Sequence, residues 1–212
     1  MLGGDCTIEL GVVAGLLEGG AEVALVYLDA GCDLNVPTSV REGFLDWMGM
    51  GHALDLPGAV DPVRRLGPRT PLLRPEHVAF VGVVPDELTE WERQQVVERS
   101  LRVQWADDVA AAPLAAARVA VPTSGDDRVT VHFDVDVVDF LDFPAADFPT
   151  INAGLTLGQA MTFLGEVVRH PHFSALTVCE VNPDHLDEEG DQLRAFADGL
   201  ADVVSGSTIP LG

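Results

Sequence analysis

Val129 to Phe140 reads V-T-V-H-F-D-V-D-V-V-D-F. Val129, Val131, Phe133, Val135 and Val137 alternate with Thr130, His132, Asp134 and Asp136. A period of two with β-branched residues at most apolar positions predicts a strand. One face of it can enter a core. The other then carries His132, Asp134 and Asp136, with Asp139 just beyond. Read alone, a D-V-D of this kind is a solvated strand face. Carboxylates in so apolar a strand are otherwise expensive unless a cation neutralises them. A second acidic cluster at the end of another apolar run favours a metal.

That second run is Val23 to Leu28, V-A-L-V-Y-L, continuous as for a strand buried on both faces of a parallel sheet. It leads into Asp29-Ala30-Gly31-Cys32-Asp33, where extended backbone would bring Asp29 and Asp33 to one side. The C-terminal end of a parallel strand is where open α/β sheets place their sites. Ala175 to Val181 is a further strand, with Glu180 near its end and Asn182-Pro183 after it. A glutamate there is costly without a partner, which makes it a candidate site residue.

Between these stretches the pattern alternates strand and helix. Val12, Val13, Leu16 and Leu17 lie in a predicted helix that Gly19-Gly20 ends. The Gly-Gly-Asp turn before it normally follows a strand, so the expectation is either that an early strand is missing, as in an N-terminally truncated form, or that the protein has dispensed with it. Asp46 to Leu54 contains a Gly-Met alternation that is a poor free helix, and its His52 reads as a loop or core histidine. Pro57 to Pro75 is a proline- and arginine-rich connection, and Val78 to Val84 a buried strand. Thr89-x-x-Glu92 and Thr156-x-x-Gln159 are capping boxes opening helices to about Arg99 and Arg169. A short strand is expected at Leu101 to Trp105, helices at 113–120 and 192–204, and a turn at Ser124 to Asp127. Leu141 to Asn152 is an irregular loop, and Asp184 to Asp191 a solvated acidic stretch. The sum is an α/β protein with a mainly parallel sheet between helical layers, read as one domain over 212 residues.

The net charge of −22 argues against nucleic acid or an anionic membrane as partner. Every basic side chain is arginine. No apolar run is long enough to cross a bilayer, and no signal-peptide pattern opens the chain. Cys6, Cys32 and Cys179 are too few and scattered for a disulfide framework. The expectation is a soluble cytoplasmic protein acting on a small molecule.

Gly3-Gly4-Asp5-Cys6, Asp29-Ala30-Gly31-Cys32-Asp33, Glu42 to Met48, His132 to Phe140 and Glu180-Val181-Asn182-Pro183 follow one another in an order that resembles the ureohydrolase superfamily of arginase, agmatinase and formimidoylglutamase. Gly154-Leu155-Thr156 matches that pattern too. The family reads G-G-D-H, D-A-H-x-D, S-G-N-x-H-G-M, S-x-D-x-D-x-x-D-P and E-x-N-P. The resemblance implies a three-layer αβα, arginase/deacetylase-like fold and two manganese ions (Mn2+) that activate water against a guanidinium carbon. It also implies a cationic substrate and a homo-oligomer, commonly a trimer or hexamer.

Carried over, the first ion's ligands are Cys6, Asp29, Asp33 and Asp134. The second ion's are Asp29, Asp134 and Asp136, with Gly31 where the family has a histidine. Glu180 falls at the substrate-pairing position and Asp46 at the proton-carrier position. Each family histidine is replaced, and Cys6 favours a softer ion such as zinc (Zn2+) over manganese. His132, at a family serine position, is either a replacement ligand, a bond to a ligand carboxylate, or a histidine satisfied inside the sheet. Cys32 is expected to point away, and water can also complete a carboxylate shell. Three functions are compatible: a metal-dependent hydrolase of a guanidino or amidino C–N bond, an inactive relative with at most one structural ion, and a single-metal amide deacetylase. The last uses an Asp-x-His pair that Gly31 breaks.

Overall fold

Strand β1 (Val23–Leu28) lies at the centre of a five-stranded, wholly parallel sheet. β2 (Val78–Val83) and β3 (Arg102–Trp105) extend it on one side, and β4 (Arg128–Asp134) and β5 (Phe173–Cys179) on the other, in the order β3-β2-β1-β4-β5. The computed structural model describes residues 1–121 and 127–206. The expected turn at Ser124 to Asp127 falls mostly outside them.

Helices cover both faces. Val26, Leu28, Ala79, Val81, Val131 and Phe133 pack into a core with α6 (Pro113–Ala120), α7 (Leu157–Val167) and α8 (Asp191–Ser205). On the opposite face Leu25, Tyr27, Val78 and Phe80 meet α1 (Ile8–Glu18), α2 (Gly49–Ala53) and residues beside α4 (Glu90–Glu98). The short helices α3 (Asp61–Arg64) and α5 (Ala106–Ala111) complete the connections. Every residue of β1 and β2 is buried, as continuous apolar runs require. Thr89 and Thr156 each accept from the backbone N–H three residues on, and Glu92 and Gln159 reach back to close both capping boxes.

Two expectations are corrected, and a third is explained. The acidic strand ends at Asp134, because its carboxylate accepts from Asp136 N–H at 2.8 Å and starts a tight turn over Val135–Val137. Asp136 therefore leaves the sheet and cannot share a strand face with His132 and Asp134. The last strand starts and stops two residues early, at Phe173–Cys179, so Glu180 follows it in a left-handed conformation with φ 62°. The Gly-Met segment does form a helix, α2, held by packing. A Cβ on Gly51 would stand 2.3 Å from the Asn35 carbonyl oxygen, so only glycine allows that approach. His52 is wholly buried there, with Nδ1 2.7 Å from the Met48 carbonyl.

At the start of the chain, Leu2 bridges Val178 in parallel, with Gly3 N–H donating to the Val178 carbonyl at 3.1 Å and Val178 N–H to that of Met1 at 3.0 Å. This pairing delivers Cys6 to the end of β5.

Candidate functional site

The C-terminal ends of β1, β4 and β5 converge on a cavity of about 290 Å³. Cys6, Asp29, Asp33, Asp46, Asp134, Asp136 and Glu180 all line it. Seven of the eight sequence-derived candidates thus share one wall. The eighth, His132, lies below the lining with no exposed surface.

Hydrogen bonds fix four of these carboxylates. Asp29 accepts from Gly31 N–H at 2.6 Å, and Asp136 from Ala30 N–H at 3.1 Å, which ties the β4 turn to the end of β1. Asp33 adopts φ 51° and accepts from the Tyr27 hydroxyl. Cys6 Sγ donates to Asp134 at 2.7 Å. Asp46 is only partly buried, in the turn before α2. Asp139 lies apart, accepting from Leu141 and Ala153 N–H as a loop staple. Cys32 is enclosed in the apolar core on the α1 face.

Burial dominates the electrostatics. It pushes Asp29, Asp33 and Asp134 well above the usual carboxylate range, and neighbouring aspartates push further. Burial likewise raises Asp136 to about 7, and raises Glu180 to about 7 with help from Asp46. The Cys6 thiol is raised first by its hydrogen bond with Cys179, then by burial. Burial holds His132 neutral, lowered to about 3. Such a cluster gains from any cation that enters it.

Four residues that reading the sequence did not single out belong to the neighbourhood. Tyr27 bonds Asp33 and stacks on His132, with ring centroids 4.3 Å apart. Thr177 and Cys179 stand opposite His132 and Asp134 in the β4–β5 register. Glu9 reaches down from α1 to Thr177. The available signal was T-x-C on β5 alternating in step with H-x-D on β4.

These donors do not fit the two-manganese pair that the resemblance implies. Gly31 contributes no side chain where the second ion needs one, although an added Cβ would face Asp29 and Asp33 at 3.4 and 3.6 Å. A thiol opens the first ion's set, and manganese prefers oxygen and nitrogen donors. No histidine lines the cavity.

A family model described as the arginase family matches residues 1–204. An arginase of Eremothecium gossypii is 30% identical over 188 residues, covering 86% of this chain and 46% of the relative. An arginase of Bacillus caldovelox is 26% identical, covering 89% of this chain and 62% of its own length. The chain thus spans about half to three-fifths of these curated relatives. Among solved structures, an arginase from Bacillus cereus superposes with TM-score 0.86 at 22% identity, over 98% of this chain and 71% of that one. Formimidoylglutamase from Bacillus subtilis gives 0.79 at 17% identity, over 98% and 61%. At these identities the structural matches speak for the fold.

Proposed function

Because this chain belongs to the arginase family, we propose that it keeps the family fold around a single remodelled metal site and does not perform two-metal guanidino hydrolysis. The observation that carries this reading is the donor set. Gly31 opens onto Asp29 and Asp33 yet supplies no ligand, and Cys6 occupies Asp134 from the other side. A two-ion mechanism needs both ions held so that they clamp the attacking and leaving groups, and here one ion has a thiol in place of its imidazole and the other has no side chain at that position. The retained carboxylates keep the cavity attractive to a cation, since packed together they repel unless a cation or protons neutralise them.

The test is metal counting on chelator-free protein, paired with urea release from guanidino compounds after incubation with manganese. One ion per chain and no urea above the blank is the expected result. Two ions per chain, with turnover lost in Asp134→Asn, would overturn the proposal.

A second reading is hydrolysis of a C–N bond in a cationic guanidino or amidino compound, favoured by the cavity's charge. Glu42, Asp46, Glu87 and Glu180 line it and no basic side chain does. In that reading Glu180 meets the substrate's positive end and Asp46 carries a proton.

A further inference from the structure

Beneath the carboxylates lies a second group of donors. β4 and β5 run in register so that His132 faces Thr177 and Asp134 faces Cys179. All four are buried. Ligand atoms of Cys6, His132 and Cys179 lie within 4.8 Å of one another, as do those of Cys6, Asp29, His132 and Asp134, and Cys6 Sγ is 2.7 Å from Asp134 Oδ2. Neither His132 nor Cys179 lines the cavity above.

The hydrogen bonds around His132 decide which of its nitrogens is free. The Thr177 hydroxyl donates its one proton to Glu9 at 2.7 Å. With its proton on that bond, the hydroxyl accepts from His132 Nδ1–H, 3.0 Å away, in the tautomer this arrangement favours. Nε2 is left with its lone pair, buried and without a hydrogen-bond partner. An orphaned buried nitrogen is costly, and buried polar groups are rarely left so. Ligating histidines typically donate their other ring N–H to an orienting acceptor, the arrangement that Thr177 and Glu9 provide. Tyr27 fixes the ring plane by stacking at an interplanar angle of 14°.

We propose that Cys6, Cys179, Asp134 and His132 Nε2 form a tetrahedral site for a zinc-class divalent ion, with Glu9 and Thr177 as positioning residues. The proposal rests on the single-ion reading and places the ion on the sulfur and nitrogen side of Asp134, away from Asp33 and Asp136, with Asp29 at the border of the two groups. Binding releases the two thiol protons to solvent. Two thiolates, a carboxylate and a neutral imidazole then surround the ion, a donor set that zinc takes readily. Metal–ligand bonds of about 2.0–2.3 Å require these side chains to draw together on binding.

The test is cobalt(II) titration of the full chain, followed by absorption spectroscopy and competition with zinc. Cobalt bound by thiolates in a tetrahedral shell gives a ligand-to-metal charge-transfer band and intense visible bands. One equivalent giving both is expected. Cys179→Ser should cut the charge-transfer intensity by about half, and Thr177→Val should weaken affinity about 10–100-fold. Cys32→Ala, in the apolar core, should leave the spectrum unchanged. A bound ion without charge transfer would overturn this site while leaving the single-ion reading standing. Absence of any bound ion would overturn both. A Cys6–Cys179 disulfide in the metal-free protein as purified would also overturn the site. The unaltered chain suffices for the spectrum, so a variant that fails to fold leaves the test intact.

Discussion

Asp29, Asp33 and Asp136 line a cavity, whereas His132 and Cys179 lie just beneath it with no exposed surface. The two tiers relieve their strain differently. Carboxylates in the upper tier can take up protons, and their raised pKa values express that. The lower tier has no such outlet, because its imidazole is already neutral and its orphaned Nε2 has no hydrogen-bond partner. A proton can satisfy the first tier, and a metal ion is what satisfies the second. Asp134 belongs to both, bonding Cys6 with one oxygen and Asp136 N–H with the other.

The largest test of this contrast is therefore Asp134→Ala. Removing the shared carboxylate should abolish specific ion binding by calorimetry. Binding that survives with less than about a tenfold loss would mean that the tiers work separately.

Next is the pH dependence that Glu9 imposes. Burial raises its folded pKa from the ordinary 4.5 to about 7. The folded state then holds a proton that the unfolded chain has released, so stability falls as pH rises between those values. Its contribution is full below about pH 4.5 and lost above about pH 7. A shift of that size corresponds to about 3 kcal/mol. In urea unfolding of the metal-free protein, Glu9→Gln should flatten the stability curve through that window. Parallel curves would show that Glu9 is not the group being strained.

His132→Ala should cost about 2–3 kcal/mol of stability, for the lost ring and its stacking on Tyr27. The same variant should lose zinc binding. A stable variant with unchanged zinc affinity would reduce His132 to a packing residue.

The smallest effect is expected from rebuilding the upper tier. Gly31 is not in the left-handed region, and an added Cβ meets only ordinary contacts. Gly31→His should raise manganese affinity about tenfold, or about 1.4 kcal/mol, read by calorimetry. Unchanged affinity would mean that more than one missing imidazole separates this pocket from a manganese site.

Much of this layout was legible in the chain itself, for identifiable reasons. Val23–Leu28 and Val78–Val83 read as doubly buried strands because no polar residue interrupts either run. Thr89 and Thr156 announced helices through reciprocal caps that operate within four residues. The five ordered motifs pointed to the arginase-family fold, and among their acidic residues Asp29, Asp33, Asp46, Asp134, Asp136 and Glu180 gather on one cavity.

Asp136 was misplaced because alternation assigns a face only while a strand continues, and the hydrogen bond to Asp134 stops it two residues earlier. Cys179 was passed over because nothing local in T-V-C-E distinguishes a core thiol from a ligand. Its setting comes from Cys6, pinned by the Leu2 bridge to Val178, and from Asp134 across the β4–β5 register. Glu9 is still less visible, since one buried carboxylate on α1 becomes meaningful only through Thr177, 168 residues away.

Local chemistry in the sequence thus determined the strands, the capped helices, the layered parallel sheet and the stock of carboxylates. Those depend on periodicity and on hydrogen bonds between near neighbours. Tertiary structure alone decided which donors share a site, which nitrogen of His132 is free, and that a sulfur–nitrogen tier lies under the acidic one. Such facts depend on strand register and helix packing, which bring together residues that carry no mark of one another along the chain.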